Sequence, residues 1–287
     1  MLNLPEVTLV VVETRCHELM RLTLTDIVLK VQFGGVLIYT DRPELIGIPV
    51  PATYIQVPNW PDKTRQGAFY YMEAAHAITT SHALLMEWDG GLRDVSMWRD
   101  DFLNYDYIGA PWVGQRDSMT VGNGGFMLLS KRMADYVYDH RASFGIVTDM
   151  QYARTNRRRL ENEIGAKWAP EDVATQFSYE HYPPTRPRAL AGPSFGYHDI
   201  FNWPLALDHA EVIRRTRLVI DNIYVVTRTS KLGLLARSWP WVRAEIGELE
   251  FDAAVRHHHP RARPQIRSRQ PRVLAIRDAI RGKGVKA

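Results

Sequence analysis

Along the chain, apolar residues come as short β-branched runs closed by polar or acidic residues, and between these runs they space out at intervals of three and four. Residues 7–12, VTLVVV, form one such run, continuous enough for a strand buried on both faces, and it ends at Glu13-Thr14-Arg15. Leu19, Leu22, Leu24, Ile27 and Leu29 then give residues 16–30 a helical spacing, and GGVLIYTD at 34–41 reads as a second strand. A helical segment from about Arg65 to Thr80 leads into ALLMEWDGG at 83–91, a further apolar strand that closes on acid and glycine. Strands alternating with helices predict a mostly parallel sheet whose ligands gather at the strands' carboxyl ends. Glu13, Asp41 and Asp89 lie at such ends.

Farther on, WRDDFLNYDYIGAPW at 98–112 is rich in aromatics, and VGNGGFMLLS at 121–130 sets a glycine loop before an apolar run. Helices are expected over Lys131–His140 and 149–165, and another is expected to start within WAPEDVATQFSYE at 168–180. A Pro/Gly-rich loop at 183–199 carries His198. Past Pro204 the character changes: over 208–237, Val212, Leu218, Val219, Ile223 and Val226 alternate with Arg214, Arg215, Arg217 and Arg228. The chain therefore divides into a body over 1–205, a helical C-terminal extension over 206–251 and a basic tail over 252–287.

Composition sharpens this picture in three ways. At 45% hydrophobic and 24% charged residues the chain is globular material, and its apolar stretches break off well short of the roughly 18 residues of a membrane span. The start lacks a basic n-region and the one cysteine, Cys16, has no partner, so a reducing, cytoplasmic compartment is expected. Residues 256–287 contribute +9 and the remainder −5, which argues against a nucleic-acid-binding core. The arginine-rich pattern over 208–287 suits packing on the domain or peripheral contact with the anionic inner face of a membrane. His257 to His259 have no cysteines beside them and read as solvated tail.

Two short motifs carry candidate chemistry. In Glu87-Trp88-Asp89 one carboxylate can hold a hard divalent cation, Mg2+ or Mn2+, while the other reaches a nucleotide's ribose. Acids at strand ends are also commonly solvated or capping residues. Gly122-Asn123-Gly124-Gly125 lets backbone approach a polar ligand closely, and equally spells an Asn-Gly hairpin turn. It matches neither the dinucleotide-binding glycine pattern nor a phosphate loop.

Taken in order, VTLVVVETR, EWDGG, FLNYDYIGAPW, VGNGGFMLLS, APEDVATQFSYE and FGYHD resemble the bacterial domain of unknown function 5672 family, related to glycosyltransferases of the GT-A type. The resemblance runs from Leu4 to Trp203, and the pairing of YDYIGAPW with VGNGGF is its most specific part. It implies a GT-A-like (Rossmann-like) α/β fold, a mostly parallel sheet flanked by helices. It also implies transfer of a sugar from a nucleotide-diphosphate sugar to a hydroxyl of a glycan or lipid-linked glycan, with inversion. On that likeness Glu87, Trp88, Asp89, Asn123, Gly124 and Gly125 bind the nucleotide sugar, and Asp89 and His198 ligate Mn2+ or Mg2+; Thr14 and Arg15, at the end of the first strand, are further candidate nucleotide contacts, with Arg15 equally an exposed residue at a helix start. The base falls on Asp149, beside Thr148 where glutamate is commoner, with Asp172 of the literal Glu171-Asp172 pair as the alternative. A domain that binds a nucleotide sugar or glycan without turnover is the rival of a different class, and a nucleotidyltransferase ranks last.

Overall fold

The computed structural model describes residues 1–60, 63–112, 115, 117–180, 192–222, 229–247 and 251. The first half runs β1 (Leu2–Val12), α1 (His17–Val28), β2 (Val31–Thr40), β3 (Thr53–Gln56), α2 (Lys63–Met72) and β4 (His82–Met86). It continues with β5 (Gly91–Leu92), β6 (Tyr107–Ile108), β7 (Phe126–Ser130), α3 (Lys131–Asp139) and α4 (Arg141–Phe144). The second half holds α5 (Arg157–Ile164), α6 (Glu171–Phe177), β8 (Ser178–Tyr179), β9 (Gly196–Tyr197), α7 (Trp203–Ala206) and α8 (His209–Asp221). It closes with α9 (Thr229–Ser238) and α10 (Pro240–Ile246).

Six strands form the main sheet in the order β3-β2-β1-β4-β7-β6. β3, β2, β1 and β4 run parallel, whereas β7 pairs antiparallel with both β4 and β6. The chain is therefore a mixed α/β protein with a mostly parallel central sheet. The run Val7–Val12 sits at the middle of this sheet, between β2 and β4, and all six residues are buried. Burial on both faces explains why that stretch shows no alternation. α1 lays Leu19, Met20, Leu24 and Ile27 into the core, each worth about 1.5–3 kcal/mol of transfer free energy. Its start is fixed by the buried Glu13, whose Oε1 accepts from the backbone N–H of Arg15 at 2.7 Å and of Cys16 at 2.8 Å.

Two expected helices differ from what forms. The one expected over Arg65–Thr80 ends at Met72, and that expected over 149–165 forms over 149–164 but with a π turn, Gln151–Thr155, inside it before α5. Past residue 205 the same core continues: Val212, Val219, Leu235, Trp239, Val242 and Ile246 join the cluster formed by the body. The apolar face of α8 is thus covered by protein, leaving Arg214 and Arg217 exposed. Ile223, Val226, Arg228, His257 to His259 and the tail over 252–287 lie outside the described residues. Among the described residues, no helix is long and apolar enough to cross a membrane.

Candidate metal and catalytic site

The carboxyl end of β4 delivers Glu87 and Asp89, in a turn closed by Gly90 N–H donating to the Glu87 carbonyl at 3.0 Å. A second small sheet, in the order β5-β9-β8, brings the far end of the chain to the same place: Gly91 and Leu92 pair with Tyr197 and Gly196, so His198 follows directly on the strand beside the acidic turn. His198 Nε2 lies 3.4 Å from Asp89 Oδ1 and 4.0 Å from Glu87 Oε2. One ligand atom from each of the three falls within 4.8 Å of the others.

This group can hold a metal ion. Two atoms each about 2.1 Å from one ion are at most about 4.2 Å apart, and both measured separations from Nε2 fit that limit. Asp89 is fully buried and His198 nearly so, while Nε2 has no hydrogen-bond partner among the described residues. Nε2 faces the Asp89 carboxylate at ion-pair distance, and a cation between the two would satisfy both buried groups. Nδ1 of the same ring faces Glu180 Oε1 at 3.1 Å. This is the arrangement by which an outer carboxylate fixes the tautomer and aim of a metal-ligating histidine. Burial works against the charged imidazole, but Asp89 and then Glu180 outweigh it and raise the pKa to about 10. The metal-free site therefore holds an imidazolium between carboxylates.

The backbone that aims His198 is strained. Asp199 has φ 81° and ψ 144°, a region almost reserved for glycine and costing about 1–3 kcal/mol. Asp199 Oδ1 accepts from Ile200 N–H, and Asn202 Nδ2 donates to the His198 carbonyl, both at 2.7 Å.

The glycine loop is not a hairpin turn. Val121 bridges antiparallel to Pro111, β7 begins at Phe126, and none of Gly122, Gly124 and Gly125 has positive φ. These positions need glycine because neighbours leave no room for a Cβ. One on Gly125 would land in the His198 ring, one on Gly122 against Trp112, and one on Gly124 would lie 2.6 Å from the Tyr71 hydroxyl. The Gly125 carbonyl accepts from Glu87 N–H at 2.9 Å, tying loop to acidic turn. Asn123 Oδ1 is spent on Gly125 N–H at 3.0 Å. Tyr107 and Tyr70 donate their hydroxyls to the carbonyls of Gly122 and Gly124 at 2.6 and 2.9 Å. Burial above all, and acidic neighbours after it, hold both phenols protonated, so they remain donors. Gly125→Ala is expected to push the imidazole off its position and lower Mn2+ affinity by at least the ~10–100-fold typical of losing an outer-shell partner. Titration of bound Mn2+ by electron paramagnetic resonance measures this, and wild-type affinity in the variant would contradict the packing argument.

Asp149 reaches the loop from the opposite side. Its Oδ2 accepts from Gly124 N–H at 3.3 Å and its Oδ1 from Met150 N–H at 2.8 Å. Burial chiefly, then the charges of Glu180 and Glu87, raise its pKa above the ordinary carboxylate value, a feature that suits a general base. Thr148 has a structural role of its own. Its Oγ1 accepts from Gln151 N–H at 3.4 Å while Gln151 Oε1 accepts from Thr148 N–H at 3.2 Å, a capping box that starts the helical segment leading into the π turn, with Asp149 directly after the cap.

The remaining predicted residues fall elsewhere. Asp172 is exposed in the first turn of α6, where its charge acts on Arg99. The Trp88 ring packs edge-on against Trp203 at 6.2 Å, in the core. Thr14 and Arg15 stand one strand over, at the end of β1; Thr14 is buried with Oγ1 lacking a partner among the described residues. Sequence reasoning gave no site role to Glu180, Tyr70 or Tyr71, and offered Tyr107, with Trp88, Tyr105 and Trp112, as an aromatic that could stack on sugar or base or pack in the core; Tyr107 is fully buried and donates to the glycine loop instead. For Thr148, the signal Thr-x-x-Gln was present and went unused.

No curated protein matches the chain. A family model described as "Protein of unknown function (DUF5672)" matches residues 68–198, a narrower span than Leu4–Trp203, and takes in Glu87, Asp89, the glycine loop, Asp149, Glu180 and His198.

Proposed function

We propose that the protein is a metal-dependent, GT-A-like glycosyltransferase moving a sugar from a nucleotide-diphosphate sugar to a hydroxyl of a glycan or lipid-linked glycan. The observation that carries this reading is the meeting of Glu87, Asp89 and His198 with Asp149 across one glycine loop at the carboxyl ends of the strands. The sheet supports it: the strand order reverses between β1 and β4, so the acidic turn leaves the sheet beside the switch point where open α/β sheets bind ligands. Two carboxylates and an imidazole suit Mn2+ or Mg2+.

Glu87, Asp89 and His198 hold the ion, which when bound supplies positive charge for the departing diphosphate. Asp149 takes the proton of the acceptor hydroxyl, and the acceptor oxygen bonds to the anomeric carbon as the bond from that carbon to phosphate breaks, inverting the centre. The carbonyls of the glycine loop are occupied by Tyr70 and Tyr107, which keeps the loop rigid beneath donor and acceptor. Glu180 aims His198 and, by its charge, keeps Asp149 basic.

The test is a melting-temperature screen of UDP-, GDP- and dTDP-sugars with and without Mn2+, followed by assay of nucleoside diphosphate release with glycan acceptors. A donor at about 100 times its Kd adds roughly 2.7 kcal/mol of apparent stability, and the shift is expected only with Mn2+ present. No shift with any donor sinks the proposal, and a Mn2+-dependent shift with no turnover points instead to a binding module.

A further inference from the structure

A hydrogen-bonded chain that begins in the C-terminal helix α8 ends on the backbone of the acidic turn. Arg215 is 2% exposed, and its Nη1 donates to Thr23 Oγ1 of α1 at 3.0 Å. Thr23, also 2% exposed, passes its own proton on: Oγ1 donates to the backbone carbonyl of Trp88 at 3.0 Å. That carbonyl sits between Glu87 and Asp89. Arg215 Nε is held in turn by Glu211 Oε1 at 2.8 Å, four residues earlier on the same helix. The guanidinium also acts on Tyr197, the residue before His198. One buried cation is thus linked through Thr23 to the acidic turn that supplies two of the candidate metal ligands.

We propose that Arg215 is a positioning residue for the metal centre, acting through Thr23 on the Trp88 carbonyl, so that α8 completes a site whose ligands all lie within residues 68–198. The physical reason is directional. The peptide plane joining Trp88 to Asp89 can rotate, and its rotation swings the Asp89 carboxylate; a buried donor aimed at its oxygen opposes the rotation. Because Thr23 accepts from a cation, its hydroxyl is polarised and its bond to the carbonyl strengthened. Thr23 and Arg215 both lie outside the family-matched segment, so that segment by itself lacks the support of its own acidic turn.

This inference rests on the metal reading, and two measurements separate their fates. In the full chain, Mn2+ affinity is read by electron paramagnetic resonance, and backbone hydrogen exchange at residues 87–90 is read in the metal-free protein. Thr23→Val and Arg215→Gln are expected to weaken Mn2+ binding about 10-fold or more and to speed exchange at 87–90. Thr23→Ser, which keeps the hydroxyl, and Arg214→Gln, which removes an exposed neighbour, are expected to leave both unchanged. Exchange elsewhere in the main sheet is expected to stay at the wild-type rate in Thr23→Val, which separates loosening of the turn from a general loss of stability. If wild type binds Mn2+ and Thr23→Val binds it equally with unchanged exchange, the positioning role is overturned. If exchange responds as expected but wild type takes up no Mn2+, the positioning of the turn stands and the metal reading falls.

Discussion

Asp89→Asn is expected to abolish Mn2+ binding, a loss of more than the ~100-fold that outer-shell changes reach. The residue is fully buried, supplies one carboxylate to the ligand group and lies 3.4 Å from His198 Nε2. It is also the strongest charge raising the His198 pKa, so the same substitution lowers that value. Two opposite pH trends follow in the wild type. His198 in the metal-free fold titrates near 10, above its ordinary value of 6.5, so the stability from its ion pairs is complete below about pH 6.5 and fades as pH rises towards 10. Metal binding needs the neutral imidazole, so Mn2+ affinity rises over that same window, with release of a proton. Calorimetry in buffers of different ionisation enthalpy counts that proton, and thermal melts follow the stability. Wild-type Mn2+ affinity in Asp89→Asn, or affinity that falls with rising pH, would remove the metal centre from the account.

The difference between what the chain's pattern revealed and what it hid follows from the range of the interactions. Val7–Val12 and the acid-closed run 83–91 were readable because burial on both faces is a local property, written as unbroken apolar sequence. The convergence of Glu87 and Asp89 with His198 depends on the pairing of β5 with β9, a two-residue contact between segments far apart in the chain, and no local period encodes it. Resemblance to a family supplied that link where physics of sequence could not. The glycines illustrate the opposite error. Asn-Gly is a turn signal when glycine is needed for positive φ, but here it is needed because His198, Tyr71 and Trp112 crowd the backbone, and crowding leaves no mark on the sequence. Glu180 was invisible for the same reason. It matters only because Nδ1 of a histidine from another strand comes to rest beside it.

Asp149→Asn is expected to lower kcat for sugar transfer by ~10²–10⁴-fold, the range for a general base, while donor and Mn2+ affinities stay at wild-type values. The separation is possible because Asp149 is outside the ligand group yet shares the glycine loop with it through Gly124 N–H. The wild-type rate should climb with pH on an acid limb displaced above the ordinary carboxylate range, because burial and then the charges of Glu180 and Glu87 oppose ionisation. Below that limb the base carries a proton and cannot accept the acceptor's; above it the carboxylate is free to do so. The same shift implies a cost to the fold. A carboxyl whose folded pKa is raised destabilises the protein at pH values above its ordinary pKa. Asn at this position removes that term but can accept from only one of the two backbone N–H groups that Asp149 holds, so the two changes oppose each other in the melting temperature while the variant is catalytically crippled. Asp172→Asn, in the exposed first turn of α6, should leave the rate and its acid limb in place. Transfer at the wild-type rate in Asp149→Asn, with the limb lost instead in Asp172→Asn, would hand the role of base to Asp172 and break the assignment made from the loop's geometry.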